Sequence, residues 1–256
     1  MTQKWLKGFA NLYCICTFVA TSGCAPLVPG GDSVPETVPD VTAARFTNPT
    51  QVDHPYFPLA PGTLWTYSSE TQDGVERIVA EVLHDTREVM GVACRVVRVR
   101  EYLDEVLIED THDWHAQDDA GNVWYMGEEV DNYNYDDAGD LVDVTHEGAW
   151  EAGKDVAGLG SIARPGYLMK ASPAPGERYH QEYYVGDAED EAVVVALDVP
   201  VTLSDGTNYT CLQTRDFTRL EPDAVEFKYY APSIGLVLEE TADGDQRVEL
   251  ISIAPE

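Results

Sequence analysis

From residue 63 onward, apolar and polar positions alternate in short runs rich in Val, Tyr, Thr and Trp, and turn residues punctuate the runs. The turn signals are Gln72-Asp73-Gly74, Asp119-Ala120-Gly121-Asn122, Asp137-Ala138-Gly139-Asp140, Ser204-Asp205-Gly206-Thr207 and Asp243-Gly244-Asp245. Period-two alternation between Gly- and Asp-bearing turns marks antiparallel hairpins. It predicts strands over 63–71, 75–84, 90–102, 105–118, 122–132, 140–147, 178–186, 191–203, 207–218, 225–231, 234–241 and 246–253. The expected fold is all-β, an antiparallel meander forming a strongly curved sheet or barrel, because a flat open sheet of that size would expose its edges. Residues 154–177, with Gly158, Gly160, Pro165, Gly166, Pro173, Pro175 and Gly176, read as one long irregular loop.

The amino-terminal part has a different pattern. Lys4 and Lys7 precede an apolar run from Phe9 to Ala20, followed by Thr21-Ser22-Gly23-Cys24, so residues 1–23 read as a lipoprotein signal peptide. Small residues before a cysteine suit signal peptidase, and the Cys24 thiol would then carry diacylglycerol. The apolar run is shorter than the roughly 20 residues a spanning helix needs. Residues 24–53 contain Pro26, Pro29, Pro35, Pro39 and Pro49, and read as the lipidated cysteine with a proline-rich tether. Residues 54–256 form a single β domain. Its partner would be the membrane, reached through acyl chains on Cys24, and Ala25 after the cysteine points to the outer membrane or cell surface.

Charge narrows the partners further. The chain has 46 Asp and Glu against 16 Lys and Arg, a net charge of −30. Nucleic acid is therefore excluded as a partner, since a polyanion gains nothing by approaching another. A small molecule, a glycan or an envelope protein remains open. Cys14 and Cys16 lie in the signal; Cys94 and Cys211 either pair in an oxidising exterior or stand as separate buried thiols. No Cys/His zinc spacing, GxSxG, HExxH, phosphate-cradling loop or dinucleotide fingerprint is present.

The run 105–118 is the most informative. Alternation puts Val106, Ile108, Asp110, His112, Trp114 and Ala116 on one face, read as the core face, so a carboxylate and an imidazole would sit inside. A three-residue loop at Asp119-Ala120-Gly121 makes opposing residue numbers sum to 240, placing Trp114 opposite Met126 and His112 opposite Glu128. Asp110, His112, Trp114, Trp124, Met126 and Glu128 are the candidate ligand site, read either as a hydrogen-bonded cluster that sets register or as a site for a cation or polar ligand. Asp131, Asp136, Asp137 and Asp140, with Glu189 and Asp190 at a second corner, offer oxygen ligands to calcium, although the spacing is not that of an EF-hand.

Five stretches carry a resemblance: His54-Pro55-Tyr56-Phe57-Pro58-Leu59-Ala60-Pro61-Gly62, Asp113-Trp114-His115-Ala116-Gln117-Asp118 through Trp124-Tyr125, Trp150-Glu151-Ala152-Gly153, Gln181-Glu182-Tyr183 with Ala188-Glu189-Asp190, and Lys228-Tyr229-Tyr230-Ala231-Pro232. Together they resemble the recurring motifs of a group of bacterial secreted proteins and lipoproteins. The resemblance implies a secreted single domain and supplies no chemistry. On the residues alone, the expected function is ligand binding or envelope scaffolding at the cell surface, in preference to catalysis. The rivals are a hydrolase or lyase acting on an exported polymer such as a polysaccharide, centred on Asp110, His112 and Glu128, and a calcium-stabilised surface scaffold.

Overall fold

The computed structural model describes residues 39–255, so the signal sequence, Cys24 and the first part of the tether lie outside the described residues. After a short 3-10 turn at Val41–Ala43, the strands are β1 (Asp53–His54), β2 (Phe57–Pro58), β3 (Thr63–Glu70), β4 (Val75–Val89), β5 (Val92–Leu103), β6 (Val106–Gln117), β7 (Val123–Tyr135), β8 (Leu141–Thr145) and β9 (Trp150–Glu151). They continue with β10 (Arg164–Met169), β11 (Arg178–His180), β12 (Glu182–Tyr183), β13 (Asp190–Thr202), β14 (Asn208–Thr218), β15 (Val225–Ala231), β16 (Gly235–Thr241) and β17 (Arg247–Pro255). Fifteen of these strands form one antiparallel sheet, nearly closed into a barrel.

Two meanders make the wall. The first runs β3-β4-β5-β6-β7-β10, the second β13-β14-β15-β16-β17. They join at one seam where β17 pairs with β3, Leu250 opposite Tyr67 and Ile253 opposite Trp65. At the other seam residues 178–183 serve both meanders. Tyr179 pairs with Ala192 of β13, whereas Glu182 pairs with Pro165 of β10. Gly166 is needed there: a Cβ would stand 2.2 Å from the Gln181 carbonyl oxygen, far inside contact distance. The stretch expected to be an irregular loop thus holds β10, whose proline and glycine hide a strand that must pass close beneath another backbone.

Tight two-residue turns fit the right-handed twist of the hairpins. Met90-Gly91 between β4 and β5 has φ of 51° and 78°, and Asp104-Glu105 between β5 and β6 has 47° and 65°. Cys94 and Cys211 are buried, unbridged thiols on β5 and β14, which answers the disulfide alternative in the negative. Burial pushes both thiols up to about 12.

The described part of the tether packs on the barrel. Val52, Phe57 and Leu59 are buried, Phe57 meets the His115 ring edge-on at 5.5 Å, and the Arg95 guanidinium donates to the Thr50 carbonyl at 3.1 Å. Phe46 lies against Trp124 on the outside, and Thr47 donates its backbone N–H to Asp119 at 2.7 Å. The segment from Pro39 to Leu59 therefore belongs to the folded unit and packs against one end of the barrel, where Phe57 meets the inward-facing His115.

Candidate functional site

The two faces of the wall are told apart on β6. Glu109, Thr111, Asp113 and His115 are 4%, 0%, 0% and 0% exposed, and His115 stacks on Tyr125 at 5.0 Å, so the odd positions point inward. The even positions point outward, contrary to the face expected from alternation alone. Asp110 accepts from the Arg98 Nε at 2.8 Å across the outer surface, and Trp114 is covered by the Arg87 guanidinium at 3.9 Å. Trp114 and Ala116 are buried because other segments lie over them, which is why their hydrophobicity misleads.

Register also shifts. His115 faces Tyr125 and Gln117 faces Val123, as the loop geometry predicts, but Asp113 faces Glu128 and His112 faces Glu129. The cause is a bulge at Gly127 (φ 131°), where a Cβ would lie 2.5 Å from the Trp150 carbonyl oxygen as β9 crosses the strand. One extra residue moves Glu128 to the inner face. The expected constellation is thereby divided: Asp110, His112, Trp114, Trp124 and Met126 belong to the outer face, and Glu128 to the inner. Trp124 donates its Nε1 to Asp118 at 2.9 Å and packs on Tyr167 at 4.3 Å, a structural role.

The acidic loops expected to hold calcium are built differently. Asp136 accepts from the backbone N–H of Ala138 and Asp140 and closes its own turn, Asp131 pairs with His146 at 2.9 Å, Glu189 accepts from Gly186, and Asp190 is buried on β13. Asp137 and Asp140 are exposed on the β7–β8 loop. Among the described residues no group of three or more His, Cys, Asp or Glu side chains is placed to hold a metal ion.

What the fold does assemble is an acidic lining at the barrel end opposite the tether. From that end to the middle of the wall the inward positions carry Ser69 on β3, Glu76 on β4, Glu101 on β5, Glu109 and Asp113 on β6, and Glu128 on β7, each at most 4% exposed. Glu101 stands directly opposite Glu109, Ser69 opposite Glu76, and Asp113 opposite Glu128. The polar lining continues from Glu76 through Gln246, just before β17, to Glu239 on β16, Glu226 and Lys228 on β15 and Asp216 on β14.

Lys228 is 1% exposed and is the resident cation of this second group. Its Nζ stands 3.5 Å from Glu239, 3.7 Å from Asp216 and 3.8 Å from Glu226. Burial alone would lower its pKa, but the charges of Glu239, Asp216 and Glu226 outweigh it and hold the ammonium well above its usual range. Gln181 of the closing strand donates to Asp216 at 3.2 Å, and Gln246 donates to Glu76 at 3.0 Å.

The first group is differently placed. Glu76 is pushed up to about 7 by burial and by the charge of Glu239, against the bond from Gln246. Glu109 is likewise raised to about 7 by burial, with Asp113 and Asp110 adding to it against a bond from Thr111. Asp113 rises to about 7 by burial alone, while the Tyr125 hydroxyl donates to it at 2.7 Å. Burial holds His115 neutral, lowering it to about 3. Gln246, Thr111 and Tyr125 donate the hydrogen bonds to Glu76, Glu109 and Asp113 respectively.

Several buried polar atoms of the lining have no hydrogen-bond partner in the protein: the Ser69 and Thr214 hydroxyls, the Tyr179 hydroxyl, Gln246 Oε1, Asp113 Oδ2 and Asp216 Oδ1. Thr214 lies directly opposite Lys228, and Tyr179 is one residue pair from Asp216 across β13. Such atoms are costly to bury unless a bound molecule or water completes them.

No family model matches the chain. No curated protein matches it either. Among solved structures it is similar to a candidate lipoprotein from Parabacteroides distasonis, at 9% identity and a TM-score of 0.39, over 78% of this chain and 99% of that one. A likeness of that size bears on neither the site nor its ligand.

Proposed function

We propose that this chain is a lipid-anchored extracytoplasmic binding protein that takes a polar small molecule at the acidic end of its barrel. The observation that carries the reading is the set of unpartnered, buried hydroxyl and amide atoms among the carboxylates, since a lining built only to fill space would be apolar or internally paired. Binding is favoured over catalysis because Asp110 and His112 stand on the wall face opposite Glu128 and share no reacting point with it. The Cys24 pattern supports the anchor, and the resemblance to secreted bacterial proteins and lipoproteins supports the location.

Native mass spectrometry of the protein extracted from its own host membrane tests both parts. An intact mass carrying the acyl chains on Cys24, plus a retained molecule released on unfolding, is the expected result. Bare, unacylated polypeptide in repeated gentle preparations would end the proposal.

A further inference from the structure

Resting on the anchored part of that reading, we infer that the surface around Pro39, Met90 and the 154–163 loop is a membrane-contacting face. Its apolar side chains enter the lipid interface once acyl chains on Cys24 hold the protein there, and the acidic end of the barrel faces away from the bilayer.

The face is apolar and exposed. The eight residues from Val156 to Ala163 carry no charge, in a chain with 46 acidic side chains. Val156, Leu159 and Ile162 are 50%, 51% and 60% exposed, and Val185 and Met90 stand at 51% and 50%. These residues adjoin one another. A Cβ on Gly186, next to Val185, would lie 3.8 Å from Leu159 Cδ1, and one on Gly153 would lie 3.0 Å from Met90 Cγ. The Ser161 hydroxyl donates to the Val185 carbonyl at 3.5 Å. Apolar side chains gathered at that exposure on so charged a protein mark a contact surface.

The loop is built to present them. Asp155 accepts from the Leu159 N–H at 2.8 Å, from the Gly160 N–H at 2.9 Å and from the buried Tyr184 hydroxyl at 2.7 Å. That hydroxyl in turn accepts from the Ala157 N–H at 2.9 Å. Gly158 and Gly160, with φ of 71° and 80°, make the turns this wrapping requires. The loop's carboxylate is therefore engaged within the loop, and its apolar side chains are already in place, which lowers the ordering cost of docking.

The occupant follows from where the chain leads. The described residues begin at Pro39, whose carbonyl accepts from the Arg164 guanidinium at 3.1 Å. Pro39, Val41, Met90 and Ile162 share the wall of one cavity of about 130 Å³. Cys24 lies fifteen residues earlier, a span of at most roughly 50 Å. The anchor thus holds this surface within that reach of lipid, at the effective concentration a short tether sets, so a few apolar side chains suffice. Lys154, exposed beside Glu151 at 2.7 Å, and exposed Arg164 flank the uncharged stretch, where cations can meet lipid phosphates. Asp40, the carboxylate on the same side, is engaged by the Thr42 N–H and hydroxyl. The Met90-Gly91 turn stands at the end of the wall away from Asp73, Asp104 and Asp243, so burying this face leaves the acidic turns in water.

The test uses the acylated full chain in phosphatidylcholine vesicles containing lipids spin-labelled near the top of the acyl chain. An environment-sensitive fluorophore is attached through Ala157→Cys in the loop or, for comparison, through Ala138→Cys in the β7–β8 turn; Cys94 and Cys211 are buried and stay unlabelled. The loop label is expected to shift to the blue and to be quenched at least about fivefold more than the far label. Leu159→Asp with Ile162→Asp is expected to reduce that quenching at least about threefold while the protein still floats with the vesicles, and so is Val185→Asp, made separately in case the pair fails to fold. Equal quenching at the two positions, or quenching indifferent to both variants, in protein that floats with the vesicles overturns the lipid-contacting face and leaves the anchor standing. A blue shift that grows with protein concentration and shows no lipid quenching overturns it in favour of pairing between copies of the chain. A protein whose mass shows no acyl chain on Cys24 and which does not float removes anchor and orientation together.

Discussion

Lys228 shows at the scale of one residue how the interior balances its charge. Its Nζ is the counter-ion of Asp216, Glu226 and Glu239, and burial together with mutual repulsion raises the last two carboxyls. Lys228→Met removes the cation and leaves the carboxylates buried together. The expected loss is about 3–5 kcal/mol at pH 8, the range for removing one partner of a buried ion pair. At pH 5 the loss is smaller, because raised carboxyls take up protons; urea denaturation at the two pH values checks this. Glu109→Gln acts in the opposite direction. It keeps a polar atom for the Thr111 hydroxyl while removing a carboxylate whose ionisation the interior resists, so the unliganded protein gains about 1–3 kcal/mol at pH 8 and little at pH 5. A Glu109→Gln protein less stable than the parent at pH 8 would show that this carboxylate is compensated within the fold.

Elements obey local rules more faithfully than faces do. The strands at 63–70, 123–135 and 208–218 fall within a few residues of the alternating runs, because Gly- and Asp-bearing turns set hairpin ends locally. Which side of each strand faces inward was less accessible. Trp114 and Ala116 marked the even face of β6 as core, but β9 and the tether cover them from outside, and no pattern within 106–117 records a cover contributed by another segment. The Gly127 bulge was equally hidden, since its cause is the Trp150 carbonyl 23 residues onward. Lys228, Glu239 and Glu76 could have been found by running the β6 test on every strand: Glu76 shares its face with Ile78, Ala80 and Val82, and Lys228 shares its with Tyr230. Gly166→Ala probes the closing element. A Cβ there meets the carbonyls of Gln181 and His180, so the seam must open, and hydrogen exchange is expected to quicken across 164–169 and 178–183 before the β3–β4–β5 hairpins are affected.

The whole molecule couples its stability to protons through the acidic end. Glu76, Glu109 and Asp113 titrate near 7 when folded and near their ordinary values of about 4 when unfolded, so between those limits the folded state binds more protons. Stability therefore falls as pH rises from about 4.5 to 7 and levels off above, in the absence of ligand. Melting temperatures across pH 5 to 8 should decline through that window. A melting temperature that climbs over the same range would mean the carboxylates are already ionised and compensated at pH 5.

The two seams have a further consequence for how the chain can be divided. The first meander passes to the second only once, through residues 170–177, where Ser172, Ala174, Pro175 and Gly176 are exposed. A protease site engineered between Ser172 and Gly176 would cut the chain while leaving both seams paired. The resulting halves should remain associated without a covalent link and come apart only in denaturant. One half would carry Glu76, Glu101, Glu109, Asp113 and Glu128, and the other the lysine with its three carboxylates, so that mixing separately made fragments becomes an assay in which reassembly itself reports on the charge one half supplies to the other.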